Sequence, residues 1–398
     1  MTRTATAQTG PILIGFAEAL TGSLAAVGKS GIVATQIWAE EINAKGGLLG
    51  RQVKLVFYDN QSNPTNVPGL YVKLLDVDKV DLVLSGYATN MVVPAMPVVI
   101  SHNKLYMSIF SLATNAEFHY PRTFAMIATG PEPKKAFSQG FFEIAASMKP
   151  KPVTLAILGA DAEFSRNATD GARANAAEVG LKIVYDKSYP PTTTDYAPIV
   201  RAVRATNPEV VYVASYPSDT AGILRAAAEM GFTSRLFGGA LVGTATAAMK
   251  TQLGPLMNGV VIIEQWIPAP KLRTPGVMGF LKTYRARAGA EGVDPLGVFF
   301  PPFAYARMQV LEQAVTGAGT LDDGKLADYL RTHSFKTIVG DIAYGKDGEW
   351  AESRLLWTQF RNIKGNDLAQ FENPDTEVVL LPEAFKSGDL IEPFTAGR

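Results

Sequence analysis

The sequence predicts an α/β protein built as two βα units in tandem, and three observations carry that reading. Short apolar runs alternate with longer amphipathic segments from Ile12 to Ser85, spelling strand, helix, strand, helix, strand. The alternation begins again at Val153, just after Pro150. The chain has 398 residues, more than one ordinary domain accommodates. Sheets assembled from repeated βα units are parallel and covered by helices on both faces.

Ile12–Ala17 is the first strand. Leu24 to Ala44 follows as a helix, because Val27, Gly31, Ala34, Trp38 and Ile42 form a stripe at spacings of three and four, and Gly46-Gly47 stops it. Val53–Tyr58 is the second strand. Asn63-Pro64 supplies a cap and first helical position for a helix running to about Asp76, and Asp81–Ser85 is the third strand. The second unit has strands at Val153–Leu158, Leu181–Tyr185, Val210–Ala214, Leu236–Phe237 and Val260–Ile263, with helices at Ser165–Glu178, Tyr196–Thr206 and Thr220–Met230 between them. A boundary between the units falls within Thr123–Lys135. Helices at Gly276–Ala288, Phe303–Val315 and Asp322–His333 come next. Lys346-Asp347-Gly348, between Ile342–Tyr344 and Arg354–Phe360, predicts an antiparallel hairpin. The Pro-punctuated segment from Asn373 is expected on the surface.

Composition narrows the function. Lys+Arg and Asp+Glu both number 37, so nothing suggests the basic face of a nucleic-acid binder. Apolar residues make up 47 %, but no window approaches eighteen uninterrupted ones. There is no cysteine, which excludes thiol catalysis, disulfides and thiolate metal sites. The first nine residues, MTRTATAQT, are polar and read as a flexible lead-in or as the remnant left beyond a signal peptide.

The stretch Val80–Phe118 holds the most suggestive pattern. Twice an apolar run, Leu82–Leu84 and then Leu105–Met107, ends in a loop of small and hydroxylated residues before a helix start. The first loop is Ser85 to Asn90, with Tyr87, Thr89 and Asn90; the second is Ser108 to Thr114, with Ser111, Ala113 and Thr114. Parallel α/β sheets bind ligands beyond the carboxyl ends of their strands. Helix N-termini there offer free N–H groups and partial positive charge, which suit a carboxylate. A lone threonine or asparagine at such a place is commonly just a helix cap. Two such loops in succession point to a site.

Catalytic signatures are scarce. Gly22 to Ser30 nearly matches a phosphate-binding loop, but five residues separate Gly22 from Gly28 where four are needed. His102, His119 and His333 are scattered without ligand spacing. No motif calls for a metal or a cofactor.

Ile12-Leu13-Ile14-Gly15, Leu20-Thr21-Gly22, Glu41-Ile42-Asn43 followed by Gly46-Gly47 and Gly50, and Asp59 with Asn63-Pro64 stand in the order seen in extracellular solute receptors. From about Pro11 to Phe371 the chain resembles the leucine/isoleucine/valine-binding protein family of ABC importers, the type I periplasmic binding proteins. The resemblance implies a non-enzymatic, extracytoplasmic, monomeric receptor that delivers a small carboxylate ligand to the transmembrane subunits of an ABC permease. It also implies two Rossmann-like lobes joined by three hinge crossings, near Ile127–Gly130, Ile263–Pro268 and Ile338–Ile342. Lobe one would comprise 10–127 plus 266–339, lobe two 128–265 plus 340–372, and 373–398 a surface tail.

Carried over by the same resemblance, the carboxylate-holding loops fall on Thr89 and Asn90 and on Ala113 and Thr114. Two aromatic ligand walls fall on Phe164 and Tyr216, and Trp266 stands at a hinge as a further candidate wall. The acid that grips the ammonium of amino-acid ligands should follow Gly238-Gly239, but Ala240 stands there. Burying an ammonium without its counter-charge costs several kcal/mol. Glu18 at the mouth of the first strand, Asp161 and Asp219 are candidate substitutes. Aromatic residues around a carboxylate cradle instead suit an aromatic or apolar organic acid, which the sequence places slightly ahead of a branched-chain amino acid. A cytoplasmic sensor of the same fold and a two-lobed glycosyltransferase are the alternatives from other classes.

Overall fold

A computed structural model describes residues 10–397; the nine-residue lead-in lies outside them. The first sheet contains β1 (Ile12–Glu18), β2 (Val53–Asp59), β3 (Leu82–Tyr87), β4 (Tyr106–Ile109) and β5 (Thr123–Met126), in the order β2-β1-β3-β4-β5 with every pairing parallel. The second begins with β6 (Thr154–Ala160), β7 (Lys182–Tyr189) and β8 (Val210–Ser215). A two-residue strand β9 (Thr233–Ser234) precedes β10 (Leu236–Leu241) and β11 (Val261–Glu264). Further along, β12 (Ser334–Thr337) and β13 (Gly340–Ala343) pair only with each other. Then β14 (Leu356–Phe360) and β15 (Glu377–Leu381) return to the second sheet, whose order is β15-β14-β11-β10-β8-β6-β7, while β16 (Phe394–Thr395) pairs with β9.

The alternation read from the sequence is present in both lobes. The stripe Val27, Gly31, Ala34, Trp38 and Ile42 is buried on helix Ala25–Ala44, which packs against helix Pro301–Ala318; Trp38 Nε1 donates to Glu312 Oε2 at 2.8 Å across that contact. Helices from beyond residue 270 therefore complete the first lobe. The second lobe carries a helix the sequence reading did not mark, Pro133–Ser147, packed along helix Glu163–Val179.

Three expectations are corrected. The hairpin around Asp347-Gly348 closes only as a short turn, with Gly345 N–H donating to the Glu349 carbonyl and Ala351 N–H to the Ala343 carbonyl, each at 2.8 Å, and Tyr344 bridged to Trp350; Arg354–Phe360 is not its second strand. Gly348 C=O accepts from Ala125 N–H at 2.8 Å and Trp350 Nε1 donates to the Ala125 carbonyl at 2.9 Å. These bonds hold the turn against β5, while β14 pairs antiparallel with β11 in the other sheet. The third crossing accordingly lies at 351–355 and not at Ile338–Ile342, because β12 and β13 stay with the first lobe. The C-terminal segment is no surface tail. Val378, Val379 and Leu380 of β15 are buried, and Phe394 stacks on Phe237 with centroids 4.5 Å apart.

The three crossings are bonded together at one residue. Ala128 N–H, on the first crossing, donates to Gln265 Oε1 on the second at 2.8 Å, and Ala128 C=O accepts from Arg354 N–H on the third at 2.9 Å.

Candidate functional site

The site begins with the way two loops are forced to run. The backbone after β3 passes over the end of β1 so closely that a Cβ on Gly86 would meet the Ala17 carbonyl oxygen at 2.1 Å. This brings Tyr87 N–H onto Glu18, whose Oε1 accepts from Tyr87 at 3.0 Å and from Ala19 at 2.9 Å. Ala88 then adopts φ +83°, and in the loop after β4 Phe110 and Ala113 adopt φ +45° and +56°. Left-handed backbone at non-glycine residues costs on the order of 1–3 kcal/mol each, and such strain clusters at functional sites. The two loops are tied together: Thr89 Oγ1 accepts from Leu112 N–H at 2.8 Å, and Ser85 Oγ from Ile109 N–H at 2.9 Å.

Between the lobes lies a cavity walled by six aromatic rings. Tyr87, Phe110 and Phe299 come from lobe one, with Phe110 5.1 Å from Phe299. Phe137, Phe164 and Tyr216 face them from lobe two, with Phe164 5.0 Å from Tyr216 and 5.9 Å from Phe137. Leu112, Val242 and the crossing residues Ile127, Ile263 and Gln265 complete the wall. Among the described residues no carboxylate lines this cavity. The centre of a water-sized sphere can move through only ≈ 30 Å³ of it, room for a water or two. An organic ligand can enter only if the lobes separate or the rings turn.

Among the described residues two buried hydroxyls on the loop after β4 make no hydrogen bond: Ser111, between the lining residues Phe110 and Leu112, and Thr114, two positions beyond Leu112; the hydroxyl of Tyr216, itself part of the wall, is approached only by the backbone amide of Asn90. Buried polar atoms are rarely left so. Two hydrogen bonds cross the cleft beside them. Phe164 N–H donates to Asn90 Oδ1 at 3.1 Å, and Asn167 Nδ2 donates to the Leu112 carbonyl at 2.9 Å. Outside Tyr216 the cleft widens to ≈ 450 Å³ between Ser62, Asn90 and Pro94 on one side and Ala162, Tyr196 and Asp219 on the other.

Tyr87, Phe164 and Tyr216 thus line the cavity, while Thr114 lies outside its wall, on the loop that carries Phe110 and Leu112, with a hydroxyl that makes no hydrogen bond among the described residues. Asn90 belongs to the outer cleft. Thr89 is fully buried and occupied by Leu112, so its hydroxyl shapes the loop, and Ala113 contributes the left-handed turn. Trp266 does not wall the aromatic cavity; its indole N–H binds the Leu272 carbonyl at 3.0 Å. Ala240 lies within β10, fully buried and paired with Ala214, and the residue from that strand end which reaches the cavity is Val242.

The candidate acids separate clearly. Glu18 is buried, and burial pushes its carboxyl up to about 7 against the pull of the two amides and of Arg307. It holds the Tyr87 loop and does not line the cavity. Asp161 is exposed and pairs with Arg166 at 3.1 Å. Asp219 lies in the outer cleft, accepts from Tyr189 Oη at 2.7 Å, and is raised by burial to about 6. Phe110, Phe137, Phe299, Val242 and Gln265 were not foreseen. Of these only Phe110, inside the second hydroxyl loop, carried a signal of position.

The profile described as "Periplasmic binding protein" matches residues 11–362. The chain belongs to that family of periplasmic binding proteins, of the Leu/Ile/Val-binding type. This periplasmic binding protein is 26 % identical over 339 residues to the "Amino acid binding protein" of Pseudomonas aeruginosa, covering 85 % of this chain and 87 % of that one. It is 24 % identical over 364 residues to the "Leu/Ile/Val-binding protein homolog 2" of Brucella abortus, covering 89 % and 91 %. A branched-chain amino acid transporter substrate binding protein from Streptococcus pneumoniae, solved with isoleucine, superposes with TM-score 0.75 at 19 % identity, covering 89 % of this chain and 97 % of the other. A solute binding protein of an ABC transporter from Rhodopseudomonas palustris, solved with 3,4-dihydroxy benzoic acid, superposes with TM-score 0.74 at 15 % identity, covering 97 % and 98 %. Among the described residues no helix is long and apolar enough to cross a membrane.

Proposed function

We propose that this chain is the extracytoplasmic receptor of an ABC importer and that its cargo is a small aromatic carboxylate, bound between the lobes and handed to the permease. The observation that carries the reading is the cavity itself: six aromatic rings, the Tyr216 hydroxyl in its wall with the unpartnered hydroxyls of Ser111 and Thr114 on the loop that carries Phe110 and Leu112, and, among the described residues, no carboxylate in the wall. Rings stack on an aromatic ligand, and hydroxyls with the loop amides suit its carboxylate. An α-amino acid needs a counter-charge for its ammonium, and Glu18, Asp161 and Asp219 all lie outside the cavity wall. The fold accommodates such an acid in the Rhodopseudomonas palustris protein.

The second reading is an apolar amino acid, favoured by the names of the Pseudomonas aeruginosa and Brucella abortus relatives. Thermal-shift screening followed by calorimetry separates the two, since a ligand that binds only the folded state raises its melting temperature. Benzoate, 3,4-dihydroxybenzoate and phenylpyruvate are expected to stabilise the protein, with phenylpyruvate at least about tenfold tighter than phenylalanine. Micromolar leucine or isoleucine binding, with the aromatic acids silent, would overturn the aromatic reading in favour of the second.

A further inference from the structure

Phe299 has two faces. One closes the aromatic cavity; the other lines a separate cavity of ≈ 200 Å³ at the second crossing, between Trp266, Met278 and Phe371. Charged groups border this second space, and most of them are matched. Lys250 Nζ binds Glu377 Oε2 at 3.0 Å and lies over the rings of Phe360 and Phe371. Arg285 pairs with Glu372 at 3.3 Å, and Arg273, at the exposed mouth, donates to the Pro268 carbonyl.

Glu264 is the exception. It is 4 % exposed and lines the cavity, yet among the described residues its carboxylate makes no ion pair, and only the amide of Gln265 approaches it as a donor. Burial, with Glu377 adding like charge and Lys250 opposing, holds its carboxyl well above the usual carboxylate range. A buried carboxylate without a partner is costly, and a proton or a cation relieves it. With all groups ionised, Lys250, Glu264 and Glu377 carry one net negative charge; Arg285 and Glu372 cancel, and Arg273 at the exposed mouth brings the lining as a whole to zero. No group of described residues has the three or more acids or histidines that would hold a metal ion. The walls contributed by Trp266, Phe299 and Phe371 favour an organic cation, because aromatic faces attract one.

We propose that this hinge cavity is a second ligand site, taking a small molecule with one protonated primary amine on a short apolar chain, its ammonium on Glu264. An occupant there touches both lobes and the back of Phe299, and so acts on the aromatic cavity without entering it.

The test is titration with n-butylammonium chloride against n-butanol at pH 8, followed by calorimetry and by the indole N–H resonance of Trp266. Saturable binding of the amine that moves the Trp266 resonance is expected, with none from the alcohol. Glu264→Gln should weaken it at least tenfold, Glu264→Asp should retain part of it, and Phe164→Ala, in the other cavity, should not abolish it. Met278→Trp fills the cavity from an exposed position and should block it even if Glu264→Gln fails to fold. The proposal is overturned if the amine does not saturate, if Glu264→Gln binds as well as wild type, or if Phe164→Ala abolishes binding.

Discussion

Replacing Glu349 with glutamine isolates the cost of one buried charge at the hinge. Glu349 sits on the turn pressed against β5, its Oε2 3.5 Å from Thr129 Oγ1 on the first crossing. Burial pushes its carboxyl from the ordinary 4.5 up to about 8, with Asp347 adding to the effect and Thr129 opposing it. Between those two values the native state holds a proton that the unfolded chain has lost. Stability therefore falls as pH rises through the window, by up to ~1.4 kcal/mol per pH unit from this residue. From pH 5.5 to 7.5 that amounts to ~2.7 kcal/mol. Glutamine keeps a polar partner for Thr129 and removes the titration. Glu18 and Asp219, raised to about 7 and about 6, add slopes of the same sign to both proteins, so they cancel in the difference. Urea unfolding of wild type and Glu349→Gln at pH 5.5, 6.5 and 7.5 should show the variant gaining steadily on wild type. Parallel pH profiles would refute the raised carboxyl that burial assigns to Glu349.

Thr114→Ala should weaken an aromatic carboxylate by about 1.5–3 kcal/mol, the range for a hydrogen bond to a charged group, with the melting temperature nearly unchanged; calorimetry showing full affinity and a sharp drop in stability would make Thr114 structural. Val242→Glu puts a carboxylate into the aromatic wall, so it should reverse the preference between phenylpyruvate and phenylalanine, and paired titrations in which both weaken equally would indicate a packing defect instead. Asn167→Ala removes one of the two bonds across the cleft and should shift the lobes toward separation, seen by small-angle scattering as a larger radius of gyration than wild type.

The alternation of strands and helices was legible because its signals are local: apolar periodicity, Gly46-Gly47 after the first helix, Asn63-Pro64 before the next. What failed depended on pairing between distant segments. Val261 lies opposite Gln359 in the antiparallel pair that draws β14 away from the Asp347-Gly348 turn, and no local pattern around that turn records it. The same holds for β15, whose Pro-flanked sequence resembled a loose end. At the site, Tyr87, Phe164 and Tyr216 were legible because each stands at or just beyond the carboxyl end of a strand, Tyr87 as the last residue of β3, Phe164 in the first turn of the helix after β6 and Tyr216 at the start of the helix after β8. Phe137 and Phe299 reach the cavity only through the packing of a helix and a long connection. Glu18 was legible as standing at the end of the first strand, but its burial was not, since it depends on the distant backbone at Gly86 passing over that strand end.

Ala128 joins all three crossings through its own peptide groups, and that has a bearing on how weak contacts can govern the cleft. Three short tethers keep Asn90 facing Phe164 and Asn167 facing Leu112, so the lobes meet at a high effective concentration, mM even for flexible linkers. At such concentrations a bond contributing ~1 kcal/mol changes the ratio of closed to open molecules about fivefold. Substitutions that alter the tethers outside the cavity wall, at Ala128 or Arg354, can thus retune affinity for any cargo while every residue that touches it stays the same.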